Sequence, residues 1–178
     1  AVKINGTLQA EELNVVTGAN KVAYSDLQAE QMSAATVKPA LALDVSALGG
    51  MYAGRITMVG TENGVGVKNA GVMEAVGEAG SILLNVNGRI TFIQSVETEN
   101  GESSVLSRVT AQKNIELQSS DTIEFADDVT AGVDFTVNAK NIIADKQLTA
   151  GIYRPTSATD DGVEPEPVVN AAAKMTLT

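Results

Sequence analysis

Cysteine, histidine and tryptophan are all absent from this chain of 178 residues. Without cysteine there is no disulfide framework and no thiolate metal centre. Without histidine there is no imidazole ligand and no histidine-based catalytic triad. Neither a metal site nor a cofactor is expected. Aromatic residues are scarce as well, with three Phe and three Tyr, so the core must be built from Val, Ile, Leu, Ala and Met. Small aliphatic side chains suit a narrow interior filled by stacked layers. Positive charge is in short supply: 12 Lys and Arg stand against 22 Asp and Glu, a net charge of −10. That balance opposes nucleic acid and anionic membrane surfaces, so no nucleic-acid partner is expected. No apolar run approaches the ~20 residues that span a bilayer, and no membrane insertion is expected. The chain opens on strand-like Val2 and Ile4 with no signal peptide, and closes on Met175-Thr-Leu177, the start of a strand pair. Both ends read as cuts within a longer chain, whose unpaired strand edges should associate end to end.

What is present is repetition. Val109-Thr-Ala111, Val129-Thr-Ala131, Leu148-Thr-Ala150 and Val169-Asn-Ala171 start 20, 19 and 21 residues apart. Alternating apolar pairs follow three of them: Ile115 and Leu117, Phe135 and Val137, Met175 and Leu177. Looser relatives lie upstream, Leu8-Gln-Ala10 before Leu13 and Val15, and Met51-Tyr-Ala53 before Ile56 and Met58. A period near 20 with alternation inside each repeat predicts an all-β solenoid, one coil per repeat. Like residues would then stack ~4.8 Å apart in dry interior columns. In GSILLNVNGRITF, residues 80–92, the Asn87-Gly88 dipeptide would ordinarily signal a hairpin; within this repeat pattern it marks a corner between strands. Thr and Val are frequent and Gly and Asn interrupt most apolar stripes, which tells against helix. The best helical stripe is near Asp26 to Ala35.

Two segments fall outside the pattern and are read as extra-coil loops. Residues 24–40 are polar and Ala-rich. Residues 153–168 hold three of the four prolines and a cluster of acids, a composition that favours an exposed loop over a ladder strand.

Candidate chemistry is sparse. Asp121, Glu124, Asp127 and Asp128 form an acidic cluster, but Asp121 and Glu124 should face opposite sides of one strand, and Asp127-Asp128 reads as a solvated corner. Asp160-Asp161-Gly162 lacks the ligand spacing of an EF-hand. Gly64-Val-Gly66 has no third glycine and no following helix, so it reads as a corner and not a nucleotide loop. Asn5-Gly6-Thr7 matches a glycosylation sequon. Tyr24, Tyr52 and Tyr153 are candidate recognition residues, two of them in or beside the loops. Nothing here resembles a catalyst, and no enzymatic activity is expected.

The stretch from Leu41 to Gly71, LALDVSALGGMYAGRITMVGTENGVGVKNAG, is the most distinctive in the chain. Its structural markers are Gly49, Gly50, Asn63, Gly64, Gly66, Asn69 and Gly71. DVSALGGMYAGRI followed by VGTENGVGVKNAG resembles the end of the secretion domain in filamentous haemagglutinin-like exoproteins. That family includes adhesins, haemolysins and contact-dependent growth inhibition proteins exported by two-partner secretion. AVKINGTLQAEELNVVTGANKVAY resembles the segment just upstream. The NPNL and NPNGI motifs of the family lie further upstream and are not in this chain. The resemblance implies a right-handed parallel β-helix, with residues 1–95 ending the secretion domain and 96–178 continuing as shaft repeats. It further implies an outer-membrane transporter as partner, a location outside the cell or on its surface, and cysteine poverty suited to export through a pore unfolded. The function expected on this basis is that of a non-enzymatic adhesin segment recognising a host or neighbouring-cell receptor or glycan. The alternatives are the stalk of a contact-dependent inhibition toxin and, less favoured, a β-helical enzyme acting on polysaccharide.

Overall fold

The computed structural model describes residues 1–23, 29–32, 37–153 and 167–178. Every regular element among them is a strand, and the chain is all-β. The helical stripe sought near Asp26 to Ala35 includes Ala29–Gln31, which is extended.

The strands build two large sheets, both parallel. In the first, Val2–Ile4, Leu41–Val45, Gly66–Asn69, Ile90–Ile93, Thr122–Ala126 and Asn141–Ala144 lie side by side. In the second, the long strands Thr7–Thr17 and Gly50–Gly60 pair along most of their length. Beyond them this sheet divides into two ladders. The front half of Gly50–Gly60 leads to Val72–Ala75, Arg108–Ala111, Val129–Ala131 and Leu148–Ala150. Its back half leads to Ser81–Val86, Ile115–Ser119, Phe135–Asn138 and Met175–Leu177.

The division has a sequence cause. Met51, Ala53, Ile56 and Met58 are all buried, so strict alternation skips a beat between Ala53 and Ile56. The inward face is re-aimed at Gly54-Arg55, where Gly54 lies against the carbonyl of Glu11. The chain therefore presents three successive ladders to a single core, to which all three contribute buried residues.

Register places like over like. Leu8, Met51, Met73, Val109, Val129 and Leu148 form one column, and Ala10, Ala53, Ala75, Ala111, Ala131 and Ala150 form the next. On the third ladder Leu13, Ile56, Ile82, Ile115, Phe135 and Met175 stack in the same way. Each fully buried aliphatic side chain in these columns contributes about 1.5–3 kcal/mol. Three of the repeated triplets stack as their spacing predicts. The fourth does not: Val168–Val169 pairs antiparallel with Ile152–Tyr153 and leaves the column.

Among the described residues, three antiparallel strand pairs interrupt the ladders, each at a different junction. Asn20–Val22 with Ala29–Gln31 lies between the third ladder and the first. Val96–Glu99 with Glu102–Val105 lies between the first and the second. The pair Ile152–Tyr153 and Val168–Val169 lies between the second and the third. The first and last border the expected loops, 24–40 and 153–168; of these, residues 24–28, 33–36 and 154–166 lie outside the described residues, as do Asp160-Asp161-Gly162 and Tyr24. The middle hairpin was not anticipated. Its turn is Asn100-Gly101, with φ of 53° and 84°, the left-handed pair that a two-residue type I′ hairpin turn requires.

Candidate functional site

The marker residues of the Leu41–Gly71 stretch occupy two junctions and do not converge on one site. Gly49, Gly50, Asn69 and Gly71 lie where the first ladder passes into the second. Ser46 N–H donates to the Ile4 carbonyl, Gly49 N–H to Ser46, and Val72 N–H to Gly49, at 2.9–3.0 Å. A Cβ on Gly71 would overlap the carbonyl oxygen of Gly49, so backbones meet here more closely than any other residue allows. Asn69 is buried in an otherwise apolar column between Val45 and Phe92. Its Nδ2 donates to the Gly71 carbonyl at 3.0 Å, fastening the turn from inside. Asn63, Gly64 and Gly66 lie where the third ladder returns to the first. Gly64 N–H donates to the Asn87 carbonyl at 2.7 Å, Val65 N–H to Glu62 at 3.2 Å, and Lys38 Nζ donates to the Asn63 carbonyl at 3.4 Å.

The turn at residues 62–65 directs one side chain that composition alone would leave in solvent. Glu62 is only 6% exposed and borders a cleft of about 280 Å³, together with Ala1, Thr17, Pro39, Ala42 and Val65. Gly18 and Gly60 also line the cleft, and Gly18 holds a φ of +114°, where a Cβ would collide with the Thr61 hydroxyl and crowd the Glu62 stem.

Two of the candidate tyrosines each lie near Glu74 of the second ladder. Tyr52 stands beside Glu74 in register and lays its ring over Gly50. Tyr153 is 6% exposed, packs its Cβ against Gly132, and is placed near Glu74 and Arg108. Burial, then the Glu74 carboxylate, raise its phenol above the ordinary range, while Arg108 opposes them. Arg108 Nη2 donates to Glu74 Oε2 across neighbouring strands. Tyr153 is thus a covered side chain and not the exposed anchor expected of a loop residue, because its hairpin folds back onto the ladder.

The acidic cluster disperses. Glu124 accepts from Arg89 Nη1 at 2.8 Å, whereas Asp121 accepts locally from the Thr122 hydroxyl. Asp127 is 2% exposed, which corrects the solvated-corner reading. One of its oxygens accepts the Asp128 N–H at 2.9 Å, and the other has no hydrogen-bond partner. Desolvation raises its carboxyl above the usual range, with Ser107, the Asp128 N–H and Lys146 opposing the shift and Asp128 adding to it. Among the described residues no three acidic side chains gather in a way that could hold a metal ion, and no helix is long and apolar enough to cross a membrane.

Comparison with known proteins finds relatives over about half of the chain. The chain is 49% identical over 92 residues to tRNA nuclease CdiA-2 of Burkholderia pseudomallei, a match covering 52% of this chain and 3% of that protein. Over those residues the chain is similar to the CdiA proteins. Toxin CdiA of Yersinia pestis is 44% identical over 92 residues, covering 51% of this chain. The 16S rRNA endonuclease CdiA of Enterobacter cloacae is 42% identical over 92 residues, covering 52%. The chain spans about 3% of the length of these CdiA relatives. The similarity supports the two-partner-secretion exoproteins broadly, and filamentous haemagglutinin in particular is not singled out. No family model matches the chain. No solved structure matches it. The CdiA names overturn two expectations drawn from composition, the absence of any enzyme and the absence of a nucleic-acid partner. Several of the relatives are named as nucleases, for tRNA and for 16S rRNA. Charge balance describes only these 178 residues, about 3% of the length of those relatives.

Proposed function

We propose that this chain is a length of right-handed parallel β-helix in the secreted, surface-exposed stalk of a contact-dependent inhibition toxin. The toxin is exported by two-partner secretion, and the whole protein acts on RNA in a neighbouring cell. The observation that carries this reading is the 49% identity over 92 residues to tRNA nuclease CdiA-2. The three parallel ladders with like-over-like columns support the β-helix, since each strand's next neighbour is the corresponding strand one repeat later. Right-handedness rests on the family resemblance. We set the junction between the secretion-domain-like part, residues 1–95, and the shaft, residues 96–178, where the Val96–Val105 hairpin leaves. The relatives' names favour the toxin over the adhesin.

Co-culture tests this. Cells making the full-length protein with its outer-membrane transporter are mixed with susceptible cells, in contact or across a filter, and target RNA is examined. Inhibition that requires contact, with cleaved target RNA, is expected. Cell clumping with normal target growth and intact RNA would return the protein to the adhesins.

A further inference from the structure

Four Asn-Gly dipeptides occur in the chain: Asn5-Gly6, Asn63-Gly64, Asn87-Gly88 and Asn100-Gly101. An asparagine before glycine is open to attack on its own side chain, because no Cβ shields the following amide nitrogen. The fold treats the four differently.

Three are fastened to neighbouring coils. Gly64 N–H donates to the Asn87 carbonyl at 2.7 Å, so the nitrogen that would attack Asn63 is engaged. Asn87 Nδ2 donates to the Thr61 carbonyl at 2.9 Å, and Gly88 is buried against the Val65 backbone. Around Asn5-Gly6, the Ile4 carbonyl accepts from Ser46 N–H at 3.0 Å and the Gly6 carbonyl from Gly50 N–H at 3.1 Å.

Asn100-Gly101 stands apart. Both residues are exposed, and a Cβ on Gly101 would meet nothing within 4 Å. Glu99 faces Glu102 across the turn, so the closing hydrogen bond comes from the Glu102 N–H and does not use the Gly101 nitrogen. Every residue of the two strands is exposed, and a lone two-stranded hairpin is marginal in water. Rotating Asn100 from its φ of 53° into a cyclising conformation therefore needs only a local opening at the tip. The root can stay closed: Leu106 N–H donates to the Ser95 carbonyl at 2.8 Å, and Ser95 N–H to Ser107 Oγ at 2.9 Å.

We propose that Asn100 is a site of spontaneous covalent modification, converting to isoaspartate at the tip of this hairpin. The Gly101 nitrogen bonds to Asn100 Cγ and the Cγ–Nδ2 bond breaks. Ammonia leaves with the proton of the Gly101 N–H, and a succinimide remains. Water then opens the ring, at the main-chain carbonyl to give isoaspartate or at Cγ to give aspartate. Isoaspartate carries the main chain through Cβ and Cγ, one carbon longer than the two-residue turn accommodates. It also sets a new carboxylate beside Glu99 and Glu102, which already oppose each other directly across the strands, an unfavourable arrangement of like charges. The hairpin opens while the ladders keep their pairing. The modification is independent of the toxin-stalk reading, since it needs only the folded hairpin.

The test incubates the 178-residue chain, folded and unfolded in guanidinium, at mildly alkaline pH. Peptide mass spectrometry at intervals follows replacement of the side-chain NH2 by OH at each of the four sites, and isoaspartyl methyltransferase labelling tells isoaspartate from aspartate. In the unfolded chain the four sites should react at similar rates. In the folded chain Asn100 should react about tenfold faster than any of the others, the spread set by their local opening. The isoaspartate product should exchange its amide hydrogens faster within 96–105, with an unchanged global midpoint in urea. Equal rates at the four sites of the folded chain, or Asn100 slowed as much as Asn87, would overturn the site. Unaltered exchange within 96–105 in the product would overturn the opening of the hairpin.

Discussion

Phe92 stacks on Phe125 from the neighbouring repeat, with ring centroids 5.5 Å apart and planes 11° from parallel. Phe125 in turn meets Phe135 edge to face at 5.9 Å across the interior. All three phenylalanines of the chain are thus in one cluster, joining the first ladder to the third. Phe125→Ala should cost about 3–5 kcal/mol, including the aromatic contacts worth roughly 0.5–1.5 kcal/mol each. Urea unfolding would show it. A loss below about 1 kcal/mol would mean that the columns collapse around the gap.

Val129 and Thr130 are adjacent in sequence and face opposite ways. Val129 is fully buried between Val109 and Leu148, and Thr130 is half-buried on the outer face. Val129→Asp should cost several kcal/mol by burying an unpaired carboxylate. Thr130→Asp should cost a small fraction of that. Equal midpoint shifts in urea would refute this facing.

Thr110 and Thr130 are direct lateral neighbours in a parallel pair. Adjacent strands are ~4.8 Å apart, within the usual Cα separation of a disulfide, ~4.4–6.8 Å. The double variant Thr110→Cys with Thr130→Cys should oxidise readily and stabilise the fold by about 3 kcal/mol. In the full-length chain the same pair should slow export wherever periplasmic oxidation closes the loop first, and reductant should restore it. Failure to oxidise in the folded protein would contradict the register.

Asp127 carries a pH signature. Its folded-state pKa is raised by burial, so the folded state holds the proton more tightly than the unfolded chain does. Stability from this group is therefore gained as pH falls through the folded pKa towards the ordinary carboxylate value, and lost as pH rises. Asp127→Asn removes the titration. Parent minus variant stability, measured by urea from pH 7 down to about 4, should rise on acidification. A flat difference would show that Asp127 is not desolvated in solution.

The repeat architecture was legible because it is written in side chains whose burial is periodic. Leu8, Met51, Val109, Val129 and Leu148 recur with an alanine two residues on, and all stack. What escaped was decided by backbone conformation or by neighbours distant in sequence. Asn87-Gly88 and Asn100-Gly101 are the same dipeptide, yet the first is a corner and the second a hairpin. Gly88 lies against the Val65 backbone of the preceding repeat, whereas Asn100 and Gly101 adopt positive φ in the open. The polar alternation of VETENGESSV was the available signal for that hairpin. Val169-Asn-Ala171 has the triplet's spacing, but Val169 pairs with Ile152 in the arm. The Glu62 cleft was invisible because its walls come from four separate stretches of chain.

Glycine tolerance should differ sharply between the two kinds of turn. Gly71→Ala drives a methyl into the Gly49 carbonyl and should cost several kcal/mol, or shift the junction, in global urea unfolding. Gly101→Ala meets no atom but strains a positive φ. Because every residue of that hairpin's strands is exposed, its effect of about 1 kcal/mol should appear as faster hydrogen exchange within 96–105, with an unchanged global midpoint. A global shift for Gly101→Ala would mean that the hairpin braces the core.

The three antiparallel strand pairs leave from three different junctions, and the ladders on either side resume in register. Lateral pairing is thus indifferent to how much chain intervenes before the next strand. A lineage could lengthen, trade or discard any one of these outgrowths while the scaffold beneath kept its geometry. The exterior can diversify under selection by partners or predators at a rate the interior never feels.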